Sequence, residues 1–223
     1  MLDTLPENRK RQSPGEEIAN SLTHGIGTAL SVAALVILVR YASLYGDTRL
    51  VVSFSIYGAT LIILYLASTL YHGIAADKPK QVLRMLDHTA IYLLIAGSYT
   101  PVTLVFMRGV WGWSLFGGVW ALAALGILME FCFTGIRLRI LSVCLYLLMG
   151  WLVAIAFGPM SRTLSPDLIR WLVSGGIVYT LGVIFYALKK LPYHHAIWHL
   201  FVLGGSACHF FGFFYCIAPK VAS

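Results

Sequence analysis

Long apolar runs, separated by short polar stretches, make up most of the chain. A helix needs about 20 mainly apolar residues to cross the hydrocarbon core of a bilayer, and seven runs of that kind occur. They cover approximately residues 23–44, 50–71, 86–107, 111–133, 140–160, 169–188 and 196–217. We therefore predict an all-α integral membrane protein with seven transmembrane helices. The connecting stretches are too short to hold a soluble domain.

The polar residues before the first run carry a helix-start signal. Ser13 is a suitable N-cap, Pro14 suits the first helical position and Glu16 the third, which together make a capping box. We expect no cleavable signal peptide and a short interfacial helix within an amino-terminal tail of residues 1–20. The transmembrane domain then covers residues 21–218, and residues 219–223 form a carboxyl-terminal tail.

The distribution of lysine and arginine predicts the orientation of the helices. The amino-terminal tail and the loops after helices 2, 4 and 6 carry ten basic residues, against six on the opposite side. The ten are Arg9, Lys10, Arg11, Lys78, Lys80, Arg84, Arg137, Arg139, Lys189 and Lys190, and the six are Arg40, Arg49, Arg108, Arg162, Arg170 and Lys220. Because cytoplasmic loops carry the excess of positive charge, we expect residues 1–20 in the cytoplasm and the carboxyl terminus outside.

The overall composition excludes a soluble domain and a disordered chain. Of the 223 residues, 59% are hydrophobic and only 11% are charged, whereas soluble domains average about 25% charged residues. The net charge of +7 does not indicate a nucleic-acid partner, because the basic residues stand singly or in small groups between apolar runs. The four cysteines lie in apolar runs without a CxxC pair, so we expect buried thiols.

Four ionisable residues from three distant segments are predicted at one membrane depth. His72 ends the second helix, Asp87 opens the third, and His195 and His199 begin the seventh, all on the expected cytoplasmic face. Ionisable groups in membrane spans are costly and are therefore candidates for function. Because His195 and His199 are spaced i, i+4, both imidazoles project from one face of their helix.

Three histidines provide the ligand set of a catalytic zinc site. His72, His195 and His199 would leave the fourth coordination position to a water, whose pKa zinc lowers to about 7. Asp87 could hold or deprotonate that water, and Ser68, one turn before His72, could support it or a developing oxyanion. An HxxxH pair alone is weak evidence, and Asp87 could be only a favourable acid near a helix start. We expect Zn²⁺ because distant segments bring His72, His195 and His199 to the same membrane depth.

The remaining polar residues of the spans have simpler explanations, although a role in the site stays open for each. His24, at the start of the first helix, His88 and His194 are each expected to be interfacial. His209 is compatible with polar packing between helices, and Glu130 lies near the inner end of the fourth helix. Three glycine pairs, at 117–118, 175–176 and 204–205, are expected to allow close helix packing.

Four motifs in this sequence resemble those of the hemolysin III family. They are Glu16-Glu17-x-x-Asn20-x-x-Thr23-His24-Gly25, Ser68-Thr69-Leu70-Tyr71-His72, Asp87-His88-x-x-Ile91-Tyr92 through Thr100-Pro101, and Pro192-Tyr193-His194-His195-Ala196-Ile197-Trp198-His199. This family is grouped with the progestin and adiponectin receptors (the PAQR superfamily) and the alkaline ceramidases. The resemblance extends over most of the chain, from about residue 16 to residue 217.

The resemblance implies a seven-helix protein with its amino terminus inside and zinc near the cytoplasmic leaflet. The residues that it implies by motif position are Ser68, His72, Asp87, His195 and His199. Related receptors and ceramidases hydrolyse the amide bond of ceramide-like lipids with a zinc-held water, and bacterial members are linked to haemolysis and to membrane fluidity. His194 departs from the pattern, where a residue such as asparagine is expected. The neighbouring ligands are therefore ambiguous, although the i, i+4 spacing favours His195.

These observations lead to one main hypothesis and two alternatives. We expect a multi-pass protein of the bacterial inner membrane, with a periplasmic carboxyl terminus, that helps set membrane lipid state by hydrolysing a lipid amide or ester. Its partner would be a membrane lipid. Bacteria often lack ceramide, so the family's substrate does not transfer with the site. The alternatives are a sensor or receptor with structural zinc and a cytolytic pore, although a pore needs a polar path across the membrane.

The charge asymmetry generates a prediction of topology. A reporter that is active only in the periplasm should be active when fused at Ser223 and silent when fused within residues 77–81. Enzyme activity of the two fusions in cells, at matched expression, is the measurement. The reverse pattern would contradict both the orientation and the cytoplasmic position of the histidines.

Overall fold

The computed structural model describes residues 12–217, and all regular elements in that range are helical. The helices are α1 (Pro14–Tyr45), α2 (Thr48–Gly73), α3 (Asp77–Pro101), α4 (Val110–Cys132), α5 (Ile136–Gly150), α6 (Phe157–Thr163), α7 (Pro166–Ala187) and α8 (His194–Ile217). A π-helical turn (Val102–Phe106) extends α3, and a 3₁₀ turn (Leu152–Ala156) joins α5 to α6. With α5 and α6 counted as one span, this range holds seven segments long and apolar enough to cross a membrane. The predicted all-α, seven-span membrane fold is confirmed.

Part of the sequence-based prediction lies outside the described residues. This holds for the carboxyl-terminal tail of residues 219–223 and for residues 1–11 of the amino-terminal tail. It also holds for four of the basic residues used for orientation, which are Arg9, Arg11, Lys10 and Lys220. The orientation of the bundle in the membrane stays a prediction.

The first helix begins where the sequence predicts. Ser13 Oγ accepts a hydrogen bond from the Glu16 N–H (3.3 Å), and the Glu16 carboxylate accepts one from the Ser13 N–H (2.8 Å). With Pro14 in the first turn, this completes the capping box. The helix then continues to Tyr45 without a break. The residues expected to form a short interfacial helix are thus continuous with the first span, as the first turns of α1.

Polar residues extend two helices beyond their apolar runs. α3 starts at Asp77, nine residues before the predicted run at 86–107, so residues 77–81 are helix and not the expected loop. Hydropathy alone cannot detect such an extension, because a helix that leaves the hydrocarbon core carries polar side chains. As a result, Asp87 and His24 lie about three turns inside α3 and α1. Our expectation that these two residues open their helices is wrong.

The fifth span is interrupted where one helix was predicted over residues 140–160. α5 ends at Gly150, and Trp151 has a non-helical backbone before the 3₁₀ turn begins. Tyr99 of α3 stabilises the interruption, because its hydroxyl donates to the Gly150 carbonyl and accepts from the Val153 N–H, each at 3.0 Å. One side chain thus pairs with a carbonyl at the end of α5 and with an N–H of the 3₁₀ turn, two backbone groups that would otherwise lack a helical partner.

The outer surface of the bundle is apolar, as expected for side chains that face lipid. Val110 and Ile155, for example, are 83% and 72% exposed. Cys132 and Cys144 are also exposed, so the expectation of buried thiols is wrong for these two. In a membrane protein an apolar run has no need to face the protein interior.

The helix contacts bring the site-bearing segments to one end of the bundle. The most extensive contacts join α1 to α2, α7 to α8 and α2 to α3, and α1 also packs on α8. In the core, Phe54 and Tyr57 of α2 pack against Phe213 of α8, with ring centroids 5.6 and 5.2 Å apart. The start of α1, the end of α2 and the start of α8 are therefore neighbours.

Glycine allows α3 to approach the helices on either side. A Cβ at Gly97 would lie 2.1 Å from Thr60 Oγ1 of α2, and one at Gly126 of α4 would lie 2.3 Å from Tyr92 Cε1. Around the pair at 117–118, by contrast, neither added Cβ would meet an atom of another helix within 4 Å in the described part of the chain. The packing role that we expected for this pair is wrong.

Substitution of Gly97 tests the close approach. Gly97→Ala should destabilise the bundle, because overpacking of a tight contact costs about 1–3 kcal/mol. The midpoint of thermal unfolding of the purified protein in detergent should fall. Gly118→Ala is the matched control, and because its added methyl meets open space it should not lower the midpoint. An equal effect of the two substitutions would contradict the account.

Candidate metal centre

Three histidines from two helices converge at this end of the bundle. His72 comes from the end of α2, and His195 and His199 come from the first turns of α8. One ring nitrogen of each lies within 4.8 Å of the others. Zinc bound tetrahedrally at about 2.0–2.1 Å holds its nitrogen ligands about 3.3 Å apart, so small side-chain rotations would close the set around an ion. His72 and His199 are buried, and His195 is partly exposed.

The second nitrogen of two of these rings is fixed by α1. His72 Nδ1 lies 2.6 Å from a carboxylate oxygen of Glu17, and His199 Nδ1 lies 3.2 Å from the carbonyl oxygen of Asn20 and from Thr23 Oγ1. Because a carbonyl oxygen or an ionised carboxylate can only accept, the hydrogen of each neutral ring must be on Nδ1. The lone pair of each ring is then on Nε2.

The hydrogen-bonding pattern fits a metal site. Histidines that bind a metal usually donate their other N–H to a carboxylate or a carbonyl, which fixes the ring and its tautomer. His72 Nε2 is in addition buried and has no hydrogen-bond partner among the described residues. A buried acceptor without a partner is costly, and a cation between the three rings would satisfy it.

Glu17 is held from two sides. One carboxylate oxygen contacts His72, and the other accepts a hydrogen bond from Lys80 Nζ at 2.8 Å. The same ammonium lies 5.1 Å from the centre of the Tyr71 ring. The early start of α3 at Asp77 is what brings Lys80 within reach of α1.

Sequence reasoning assigned no role to Glu17, Asn20 and Thr23. Their spacing could have indicated a shared role, because residues three apart lie on one side of a helix. It went unused because the first span was predicted to begin at residue 23, which left Glu17 and Asn20 in a tail.

His24 also belongs to this site. It is buried, and its ring stacks on that of His199, with the centroids 3.5 Å apart and the planes 14° from parallel. Tyr65 contacts it edge-on at 4.9 Å. Neither ring nitrogen of His24 has a hydrogen-bond partner within the described range, and His24 is not part of the close group of three.

Asp87 and Ser68 lie beside the three histidines. Both are buried, and the Asp87 carboxylate is near enough to His72 and Ser68 for electrostatic interaction. Ser68 Oγ makes no hydrogen bond of ordinary geometry to any described residue. The structure thus brings both residues to the site, and their catalytic roles stay predictions.

The other polar residues have contacts of their own. His194 Nδ1 lies 3.2 Å from the carbonyl oxygen of Phe185, and His194 is not in the group of three. His88 and Glu130 form a pair at 3.5 Å between α3 and α4, and Ser142 of α5 donates to Glu130 at 2.7 Å.

A mostly apolar cavity leads away from the histidines. Asp87, His195 and His199 all border it, and it follows α8 as far as His209. At 1.5 Å per residue, His195 and His209 are about 21 Å apart along the helix. Most of the other lining side chains come from α3, α5 and α7. The histidine cluster therefore opens on an elongated, mostly apolar space.

Comparison with known proteins identifies the family. Residues 13–210 match the profile of the Haemolysin-III related family. Hemolysin-3 of Bacillus cereus is 46% identical over 214 residues, which cover 96% of this chain and 97% of that protein. A Hemolysin-3 homolog of Bacillus subtilis (strain 168) is 50% identical over 203 residues, 91% of this chain and 95% of the homolog.

A more distant relative comes from animals. The human Monocyte to macrophage differentiation factor is 31% identical over 202 residues, which cover 88% of this chain and 82% of that protein. The family match and the Bacillus relatives each span the seven helices almost completely. The chain is therefore a seven-helix membrane protein of the haemolysin-III-related family.

Proposed function

We propose that this protein is a zinc-dependent hydrolase that cleaves an amide or ester bond of a membrane lipid, and that it thereby helps set the lipid state of the bacterial inner membrane. The observation that carries the proposal is the fixed tautomer of His72 and His199. Each ring has its Nδ1 beside an acceptor on α1, which leaves Nε2 of the neutral ring as the nitrogen with a lone pair for a metal. This arrangement is suited to zinc and has no evident use in an apolar core.

The chemistry divides between the metal and the chain. When bound, zinc would polarise a carbonyl and make a water acidic enough to react near neutral pH. His72, His195 and His199 would hold it, and Glu17 would keep the His72 ring in position. The residues that handle the proton and the developing charge must then come from elsewhere in the site.

Asp87 is the best candidate for the general base. Its carboxylate is buried, borders the cavity and lies near His72, so it can accept a proton from a water that attacks a carbonyl in the cavity. Ser68 has a buried hydroxyl that makes no hydrogen bond of ordinary geometry within the described range. It can donate a hydrogen bond to the oxygen on which negative charge develops.

The cavity indicates the substrate class. Its wall is mostly apolar, and Asp87, His195 and His199 lie at the end where α8 begins. An amphiphile with a carbonyl at the histidines and its chain along α8 matches this distribution. The two Bacillus relatives are named for haemolysis, but a lytic pore needs a polar path, and this cavity is mostly apolar.

Metal content tests the ligand set. The purified protein should carry about one zinc per chain, and His72→Ala should lose most of it. His194→Ala is the control and should keep its zinc, because His194 is turned towards Phe185. Occupancy should also fall in acid, since protonated imidazoles cannot bind a metal. Full retention of zinc by a His195→Ala/His199→Ala double variant, measured by elemental analysis, would rule out the assignment.

Glu17→Gln tests the support given by α1. Loss of a carboxylate that orients a metal-binding histidine typically weakens metal affinity about 10–100-fold, and we expect a loss in this range in competition with a chelator. Glu16→Gln is the matched control, because glutamine can replace glutamate in a capping box and Glu16 contacts none of the three histidines. Equal zinc affinity of the two variants would show that Glu17 does not support the metal.

Asp87→Asn separates an enzyme from a sensor with structural zinc. The variant should keep its fold and much of its zinc, yet lose the change in membrane lipids that the wild-type protein produces. Ser68→Ala should weaken that change less. The measurement is the lipid profile of cells that express wild-type, Asp87→Asn or His72→Ala protein at matched levels. If Asp87→Asn matches the wild type while His72→Ala does not, the hydrolase proposal is wrong.

A further inference from the structure

An arginine borders the cavity, and the hydrolase that we propose does not use it. Arg139 lies at the start of α5 and is only partly exposed. Among the described residues that line the cavity, it is the only lysine or arginine. A guanidinium at the edge of an apolar membrane core is costly unless it is paired, so its position calls for an explanation.

The helical spacing of α5 explains why Arg139 reaches the cavity. Ser142, Tyr146 and Gly150 follow it at intervals of three or four residues, and these residues all border the cavity. Arg139 therefore belongs to the face that α5 turns towards the cavity. Arg137, two residues earlier, is exposed and does not border the cavity. The interfacial role that is usual for a loop arginine thus suits Arg137 and does not account for Arg139.

Hydrogen bonds to α3 and α4 hold this face of α5 in place. Ser142 Oγ donates to one carboxylate oxygen of Glu130 at 2.7 Å, and the other oxygen lies 3.5 Å from His88 Nδ1. The Tyr146 hydroxyl donates to the carbonyl of His88 at 3.0 Å. The first turns of α5 are therefore anchored without help from the Arg139 side chain.

Arg139 has no counter-ion in the described part of the chain. Its side chain makes no hydrogen bond or ion pair to any residue in the range 12–217. The two acids that border the cavity are Asp87 and Glu130, and neither forms a salt bridge with it. The planar fork of a guanidinium matches the oxygens of a phosphate or a carboxylate. An anionic group on the occupant of the cavity would complete this pairing.

Tyr186 of α7 connects this arginine to the histidine cluster. The centre of its ring lies 6.1 Å from that of His195 and 5.8 Å from that of Trp198. Tyr186 borders the cavity and is partly exposed, and its hydroxyl is within electrostatic range of Arg139. This hydroxyl has no hydrogen-bond partner among the described residues. An anion beside Arg139 would thus meet a second donor, from a different helix.

The balance of charge at this end of the cavity also favours an anion. In the proposed zinc form, the two positive charges of the ion are matched by Asp87 and Glu130. The carboxylate of Glu17 is matched by Lys80, which contacts it at 2.8 Å. The positive charge of Arg139 is then left over on the cavity wall.

We propose that Arg139 and the Tyr186 hydroxyl bind the phosphate of a lipid headgroup. The substrate class is then a phosphoglyceride, with an ester carbonyl at the histidine cluster and its phosphate at the start of α5. This inference rests on the proposed function for the position of the carbonyl. The glycerol unit of such a lipid joins the two groups across the space beside Tyr186. Free phosphate offers the same oxygens, so the test includes it.

The test uses two glycerol ethers that differ only in a phosphate group. Oleyl glycerol ether and its phosphate ester are competed against a fluorescent fatty alcohol on the purified protein in nonionic detergent. The ether bond prevents hydrolysis during the measurement. Wild-type protein should bind the phosphate-bearing ether about tenfold more tightly, because hydrogen bonds between charged groups are the strong ones.

Substitutions then locate the phosphate. Arg139→Gln should abolish the preference, and Arg137→Gln, the matched control, should keep it because Arg137 is exposed and outside the cavity wall. Tyr186→Phe keeps an aromatic ring beside His195 and should reduce the preference about threefold. Elemental analysis should find the zinc content of each variant unchanged. A preference that survives Arg139→Gln, or that is lost together with zinc, would place the phosphate at the metal and overturn the proposal.

A second comparison needs no variant and so does not depend on whether Arg139→Gln folds. On the wild-type protein, inorganic phosphate should displace the phosphate-bearing ether far less well than the ether displaces itself, because it has no chain to bury in the apolar cavity. Equal potency of the two would identify a site for the free ion. That outcome, equal affinity of wild-type protein for the two ethers, or an equal loss in Arg137→Gln would each overturn the proposal.

The proposed function and this inference fail separately. Arg139 and Tyr186 lie on α5 and α7, so Asp87→Asn should retain the preference for the phosphate-bearing ether while it loses lipid turnover. Absence of turnover in the wild-type protein together with an intact preference would overturn the hydrolase and leave the phosphate site. Turnover of a lipid without the preference would do the opposite.

Discussion

The contact between Glu17 and His72, at 2.6 Å, is the interaction on which the arrangement of this site depends. It joins the first turns of α1 to the last turn of α2 in a bundle where polar partners are scarce. It also occupies Nδ1 of His72, which leaves Nε2 as the nitrogen without a partner among the described residues. Two local features support this contact. The capping box at Ser13 starts α1 early enough for Glu17 to lie on the helix, and the early start of α3 brings Lys80 to the Glu17 carboxylate.

Two histidines of α8 differ in which ring nitrogen has a hydrogen-bond partner. His199 has its Nδ1 paired with α1, and its ring stacks on that of His24. His209 has its Nε2 satisfied by α7 and its Nδ1 left without a partner. A buried polar atom needs a partner, and this rule supports the cation that we propose between His72, His195 and His199.

The sequence was most informative where a local pattern determines the outcome. Seven apolar runs predicted seven spans, and Ser13, Pro14 and Glu16 predicted the start of α1. The grouping of His72, His195 and His199 was also predicted, because helix ends on one face of a membrane must lie near the same depth. The structure brings these three together.

The features that the sequence did not reveal depend on contacts between helices. The break after Gly150 requires the Tyr99 hydroxyl, which is distant in sequence. The site role of α1 was missed because the polar turns that carry Glu17 precede the apolar run. The difference between Gly97, which meets Thr60, and Gly118, which meets nothing, depends only on what packs opposite. Local periodicity carries no information about such partners.

The central proposal is that zinc is held by the Nε2 atoms of three histidines, and that α1 orients the rings of two of them, His72 and His199. An anomalous-scattering map of crystals of the purified protein, recorded at the zinc absorption edge, tests it most directly. The account predicts one peak, about 2.0–2.1 Å from Nε2 of His72, His195 and His199. A peak at the pair formed by His88 and Glu130, or no peak from protein prepared with zinc, would contradict it.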